Sequence, residues 1–265
     1  MRMAILLHPK KARTVIRMVR MIAVWGSNGS GKKTLALALA AQLAGQQKNS
    51  VIISTDSSVP ALPVFLPGKQ IDREGSLGEL LSRPVNSVNA LKGYIHIHPQ
   101  SDHIGVMGIA SGETPLTYRS FKREIMMSLL RALNDSPFDF VIFCCQANPV
   151  LDALTQLALS TSEYPIRMIT PDVRGIEFER AQTGWLRGIP EMRVDKHIRI
   201  FGPVMRVSPL DKVRGIIGAG DYMLPFSEEV YSKSLAGQLV SGCRDRFGVQ
   251  YDRQVSRLAG RIVGS

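Results

Sequence analysis

The stretch Gly26-Ser27-Asn28-Gly29-Ser30-Gly31-Lys32-Lys33-Thr34 holds the residues most suited to chemistry. Gly26, Gly31 and Lys32 stand at the spacing G-x-x-x-x-G-K. Glycines let the backbone turn tightly enough for several N–H groups to face one centre, which makes a cradle for an anion. Lys32 adds a mobile positive charge for phosphate oxygens. An apolar run over residues 21–25 precedes the loop and reads as a buried strand. A leucine- and alanine-rich run over residues 35–44 follows and reads as a helix, whose N-terminal end adds its dipole to the same centre. Strand, glycine loop, lysine and helix in this order predict binding of nucleotide phosphates, as ATP or ADP. The alternative is a glycine-rich turn that binds nothing, which would not require all four features together.

One position departs from that pattern. The residue after the loop lysine is ordinarily Ser or Thr, whose hydroxyl holds magnesium; here it is Lys33, and Thr34 comes one place late. A shifted register, with Thr34 as metal ligand, would restore the hydroxyl but would put Ser27 and Lys32 where glycines belong. A lysine stem is long enough to bring the Lys33 ammonium to the oxygens a metal would bridge. Magnesium is therefore an open question, and no metal ligand is assigned. Asp56, just past a second apolar strand over residues 51–54, is the candidate for positioning an attacking water. It is equally well read as a turn cap beside Ser57 and Ser58. His96 and His98 share a strand face near His103, but no Cys, Asp or Glu pattern completes a metal site with them.

The elements that must position these residues alternate. Strands are predicted over residues 94–98, 104–109, 140–145, 166–169 and 198–201. Helices are predicted over residues 120–133, 151–159, 173–186, 210–217, 228–240 and 252–263. A short strand leads into Leu224-Pro225. This alternation predicts an α/β fold, a mainly parallel twisted sheet with helices on both faces. No linker or repeat divides the chain, so residues 21–265 read as a single nucleotide-binding domain behind a short extension, residues 1–20, with a strand and a basic turn.

The 265 residues carry a net charge of +11. That excess suggests an acidic partner: a protein face, an anionic membrane, or DNA bound without sequence preference. No recognition-helix pattern supports sequence-specific binding. The last helix places Val255, Leu258, Ala259 and Ile262 on one side and Arg253, Arg257 and Arg261 on the other, a pattern that suits packing on the domain or lying on anionic lipid. Three cysteines, with Cys144 and Cys145 adjacent in a strand and so facing opposite ways, read as buried core in a reducing setting. No apolar run is long enough for a membrane span. In residues 1–20 the apolar patch precedes the basic residues, the reverse of a secretory signal. The expected location is cytoplasmic, with peripheral membrane contact as an open alternative.

Several segments together resemble the MinD/ParA family of deviant-Walker P-loop ATPases. Thr170-Pro171-Asp172-Val173 is similar to that family's Thr-Pro-Glu-Val segment. The run from Ile104 into Ser111-Gly112-Glu113 resembles its strand and small-residue turn, and Leu224-Pro225 before a helix resembles the end of its fold. The pilus- or secretion-associated branch of TadZ and CpaE type looks nearest. The resemblance implies a P-loop NTPase fold and a face-to-face homodimer, with Lys32 as the phosphate lysine and Asp56 as the water-positioning carboxylate. It also implies three departures. The signature lysine position is Ser27, the magnesium hydroxyl is Lys33, and the strand-end aspartate is Cys144. Losing both metal-holding groups implies nucleotide binding with impaired or absent hydrolysis. The function so implied is a positioning or assembly factor in pilus, secretion or conjugation machinery. The alternatives are an active partition ATPase that binds DNA and a nucleotide-free scaffold.

Overall fold

The computed structural model describes residues 18–114, 116–118 and 121–264. The strand and basic turn expected before residue 18 lie outside them. In chain order the elements are β1 (Arg20–Gly26), α1 (Lys32–Gly45), β2 (Ser50–Ser54), α2 (Leu62–Phe65), α3 (Leu77–Leu80), β3 (His96–His98), β4 (Ser101–Met107), α4 (Arg123–Asn134) and β5 (Phe140–Cys144). They continue as α5 (Ala153–Thr161), β6 (Tyr164–Ile169), α6 (Val173–Arg187), β7 (Ile198–Val204), α7 (Leu210–Ile217), β8 (Tyr222–Pro225), α8 (Glu228–Leu235) and α9 (Arg246–Gly264).

The strands form one eight-stranded sheet in the order β3-β4-β2-β5-β1-β6-β7-β8. Every neighbouring pair is parallel except β3 with β4, an antiparallel hairpin at one edge. The central strands are buried on both faces, which is why they read as unbroken apolar runs. Side-chain alternation splits them between two cores. Ile22, Val24 and Cys144 pack on one face with α1 and α9, whereas Ala23, Trp25 and Cys145 pack on the other with α4 and α5. Helix α1 is buried nearly all round, through Leu35, Ala36, Leu37, Ala38, Leu39, Ala40 and Leu43. Its alanines let the sheet and α9 pack closely against it.

Of the boundaries that differ from the sequence expectation, three are marked by a specific contact, cap or turn. Helix α8 stops at Leu235 instead of residue 240. Gly237 turns there with φ +59°, and a Cβ on it would lie 2.3 Å from Pro67. The chain past α8 is instead tied across the molecule, with the Gly237 carbonyl at His98 and the Leu239 N–H at Gln100. Helix α9 begins at Arg246, six residues before expectation, because Asp245 Oδ1 accepts the N–H groups of Phe247 and Gly248, each at 2.9 Å. The helix expected over residues 151–159 is a 3-10 turn, Pro149–Leu151, followed by α5, whose N-cap is Asp152.

Trp25, next to the glycine loop, anchors a buried polar group at the centre of the second face. Its indole N–H donates to His197 Nδ1 at 3.0 Å, and His197 Nε2 lies 2.7 Å from the Met192 carbonyl, so this ring carries its proton on Nε2. Arg167 lies over the Trp25 ring and pairs with Glu179 at 3.0 Å. Burial holds His197 down to about 4, against the hydrogen bond to the Met192 carbonyl, with smaller help from the charges of Arg167 and Arg193 and a small opposing pull from Asp195. The native ring stays neutral where the unfolded ring, near 6.5, takes a proton. Stability is therefore intact above that range and is lost as pH falls toward 4, by up to about 3 kcal/mol. Denaturant titrations at pH 7 and pH ~4.5 should show this loss in the native sequence and a smaller loss in His197→Asn. Equal losses would disprove the assignment.

Candidate functional site

The loop between β1 and α1 starts at a forced glycine. Gly26 has φ +149°, and a Cβ there would meet the Met168 carbonyl oxygen of β6 at 2.2 Å. Gly29 and Gly31 take φ +76° and +86°. The chain then enters α1 with Gly31 as a left-handed N-cap that has no capping side chain, and with no acidic residue in the first turn. The first-turn N–H groups of a helix have no intrahelical acceptor, so this end presents donors to an outside anion. The Lys32 ammonium donates to the carbonyls of Gly26 at 2.9 Å and Ser27 at 2.8 Å. An ammonium has three protons, so one remains for a ligand. Burial lowers the Lys32 pKa, against the opposing influence of Cys144 and Asp56. Ser27 Oγ is buried without a hydrogen-bond partner. An orphaned hydroxyl, an uncapped helix end and a buried ammonium fit nucleotide phosphates.

Strand order brings the other candidates to the same edge. β2, β5 and β1 are neighbours, and Cys144 stands in register with both Val24 and Ser54. Ligands of such sheets bind beyond the carboxyl ends of the strands, where Asp56 and the loop converge. Asp56 Oδ2 lies 3.7 Å from Lys33 Nζ. Its Oδ1 accepts the backbone N–H groups of Ser58 at 3.1 Å and Val59 at 3.2 Å, the turn cap that its neighbours suggest. Gln146 Nε2 donates to Ser58 Oγ at 2.9 Å and braces the same turn. The Cys144 thiol is pushed up to about 11 by burial, against the pull of Lys32 and Lys33. It is a neutral group under two ammonium ions.

These residues do not fit magnesium. The ion needs oxygen ligands. Lys33 stands at the hydroxyl position, and the thiol of Cys144 at the acidic one. Thr34, the ligand of the shifted register, has its hydroxyl 2.8 Å from Ser234 Oγ of α8. Two unit charges 4 Å apart interact by about 4 kcal/mol at an effective dielectric of 20, and a divalent ion by about twice that. A metal beside the Lys33 ammonium would carry that repulsion with no compensating carboxylate from β5. Elsewhere, His96 Nε2 is bonded to the Gly75 carbonyl and His98 Nε2 to that of Gly237. No group of three or more potential metal ligands occurs among the described residues.

A cavity of about 260 Å³ adjoins the loop, lined by Gly29, Thr34, Met168, Pro203, Phe226 and Tyr231 among others. Its apolar walls next to a phosphate cradle suit a nucleoside base. Of its lining beyond the loop, Leu224-Pro225 stood out in the sequence, whereas Met168, Pro203, Phe226 and Tyr231 did not. A larger cavity, about 650 Å³ between Leu62 and Arg73, lies off the loop. It has neither the glycine loop nor the helix end, so the chemistry favours the smaller one.

The architecture and this edge of it are those of the P-loop nucleotide-binding fold of the α/β class. Residues 19–178 match the family model described as AAA domain, and the chain belongs to that family. Its fold is that of the MinD and ParA proteins. A ParA family ATPase from Chlorobium tepidum TLS superposes with a TM-score of 0.72 at 14% identity, over 91% of this chain and 98% of that one. The septum site-determining protein MinD of Pyrococcus horikoshii OT3, solved with Mg-ADP, gives 0.69 at 16% identity, over 93% and 98%. The MinC:MinD cell division complex of Aquifex aeolicus gives 0.67 at 14%, over 92% and 96%. No curated protein matches the sequence.

Replacing Lys32 by Ala removes the charge-assisted contact and should weaken ADP or ATP binding by about 1.5–3 kcal/mol. Calorimetric titration measures it directly, and an unchanged affinity would rule out the loop as the phosphate site.

Proposed function

We propose that the protein is a nucleotide-binding positioning or assembly factor that hydrolyses ATP slowly or not at all. Its nucleotide occupancy sets a homodimer, and the dimer binds a partner. The observation that carries this reading is the Lys33–Asp56 contact at 3.7 Å. The carboxylate available to orient water is engaged by a lysine that stands where a metal-holding hydroxyl is ordinarily found. Cys144 supplies no charge at the strand end. The phosphate loop with Lys32 is in place, and the groups expected to hold a metal are altered. Relatives in complexes, such as MinD with MinC, support a partner-binding role. The resemblance to the TadZ and CpaE branch supports pilus, secretion or conjugation machinery as the setting.

A second reading has its own observation. Helix α9 buries Val255, Leu258, Ala259 and Ile262 in the core and exposes Arg246, Arg253, Arg257 and Arg261. The apolar stripe of α9 is already occupied by the core, and Phe247 and Val249 near its start are its exposed large apolar side chains. Arg261 is paired with Asp221 at 3.4 Å; the exposed guanidinium groups of Arg246, Arg253 and Arg257 favour contact with phosphates or acidic protein over membrane insertion, which suits an active partition ATPase on DNA. Among the described residues no helix is long and apolar enough to cross a membrane.

The two readings part on turnover and on DNA. Phosphate release at saturating ATP with magnesium should stay at the buffer background, and duplex DNA should not raise it. Turnover stimulated by DNA, together with DNA retention that falls steeply with salt, would replace the first reading by the second. Light scattering after size exclusion should show a dimer with nucleotide and a monomer without it; the same mass in both would remove the occupancy switch.

A further inference from the structure

The loop holds two lysines, and they are used differently. Lys32 is turned into the loop, onto the Gly26 and Ser27 carbonyls. Lys33 is turned out of it, to Asp56 at the end of β2. Both remain near the uncapped N-terminus of α1, where phosphate oxygens would arrive. The side chains of Lys33 and Asp56 keep 26% and 16% of their exposure, so the pair is reachable by a ligand but shielded from bulk water. Asp56 is fixed independently of Lys33, through Ser58 and Val59 N–H groups. The carboxylate is therefore a stationary charge and the lysine the movable partner.

We propose that the Lys33 ammonium is the resident cation of the phosphate site and that Asp56 is its stand-in anion. Nucleotide phosphates take Lys33 from Asp56, bind without a metal ion, and leave Asp56 and its turn released from the lysine. The argument is one of charge and place. Lys33 supplies a positive charge next to Lys32 on the first turn of α1, where the groups fit magnesium poorly. A phosphate group carries more negative charge and more acceptor oxygens than one carboxylate, so it competes well for the ammonium. Asp56 pulls the other way twice, by holding Lys33 and by repelling the incoming phosphates. It acts as a built-in competitor, an autoinhibitory contact that sets how much nucleotide is needed. The turn from Asp56 to Val59, braced by Gln146 on Ser58, is then the segment that senses occupancy.

This inference rests on the nucleotide-binding reading, and one set of titrations separates the two. ADP and ATP are titrated calorimetrically into the full chain, once in EDTA and once in excess magnesium. Affinities within about threefold of each other support the proposal. Binding at least about tenfold weaker in EDTA overturns it and leaves the nucleotide reading standing. No binding under either condition overturns both. In EDTA, Lys33→Thr should lose about tenfold or more, and Lys33→Arg, which keeps the charge, should restore most of it. Asp56→Asn should bind about threefold or more tightly than the native sequence, a gain that damage to the fold would not produce. An unchanged or weaker affinity in Asp56→Asn overturns the competitor role. Thermal unfolding of each variant without nucleotide identifies any that misfold. Should Lys33→Thr be one, Lys33→Gln takes its place.

Discussion

A lysine ammonium folded under a glycine loop is the contact on which the rest of this edge depends. Lys32 reaches the carbonyls of Gly26 and Ser27 only because the loop turns back on itself. The loop turns back only because Gly26 adopts a conformation that side chains avoid, pressed on the Met168 carbonyl. That closeness depends in turn on β1 pairing in parallel with β6, where Gly26 stands opposite Met168. A buried ammonium is costly unless it is hydrogen-bonded, and here two carbonyls supply the bonds. Sheet register, loop conformation and the placement of one charge form a single chain of causes.

The second lysine shows how one substitution changes the meaning of its surroundings. With a hydroxyl at position 33, a carboxylate at position 56 would face a metal site. With an ammonium there, the same carboxylate becomes an ion-pair partner at 3.7 Å. The neutral thiol of Cys144 beneath it leaves the Lys32 and Lys33 ammonium groups without a competing buried carboxylate at the strand end. Lys33, Asp56 and Cys144 are mutually consistent, and Lys33 and Cys144 would be out of place in a site built to hold magnesium.

The basic character of the chain has two sources. Arg2, Lys10, Lys11, Arg13, Arg17 and Arg20 stand in the first twenty residues with no acidic residue among them, and a further set lines α9. Arg20 has a structural task, capping the last turn of α9 through the carbonyls of Ile262 and Val263 at 2.6 and 3.0 Å. The arginines on the outer face of α9 stand on a rigid helix whose inner face is core. Their spacing is therefore fixed by the fold, as a surface meeting a charged partner requires.

The sequence by itself determined whatever is set by residues close in the chain. The glycine loop with Lys32 between a strand and a helix, the order of strands and helices, and the opposite facing of Cys144 and Cys145 all follow from local sterics and from the period of apolar residues. The departure at Lys33 was visible for the same reason, since it is one position in a contiguous motif. Tertiary structure alone decided the rest. That α8 stops short at Gly237 against Pro67, with the chain beyond it tied to His98 and Gln100, depends on segments far apart meeting in space. The partners of Lys33, Thr34 and Asp56 belong here too. Lys33 meets Asp56, Thr34 meets Ser234, and the walls of the base-sized cavity come from β6, β7, β8 and α8. Pairing between residues far apart along the chain leaves no period or spacing in the sequence. It is fixed by which strands lie side by side, a choice made by burial of the whole sheet at once.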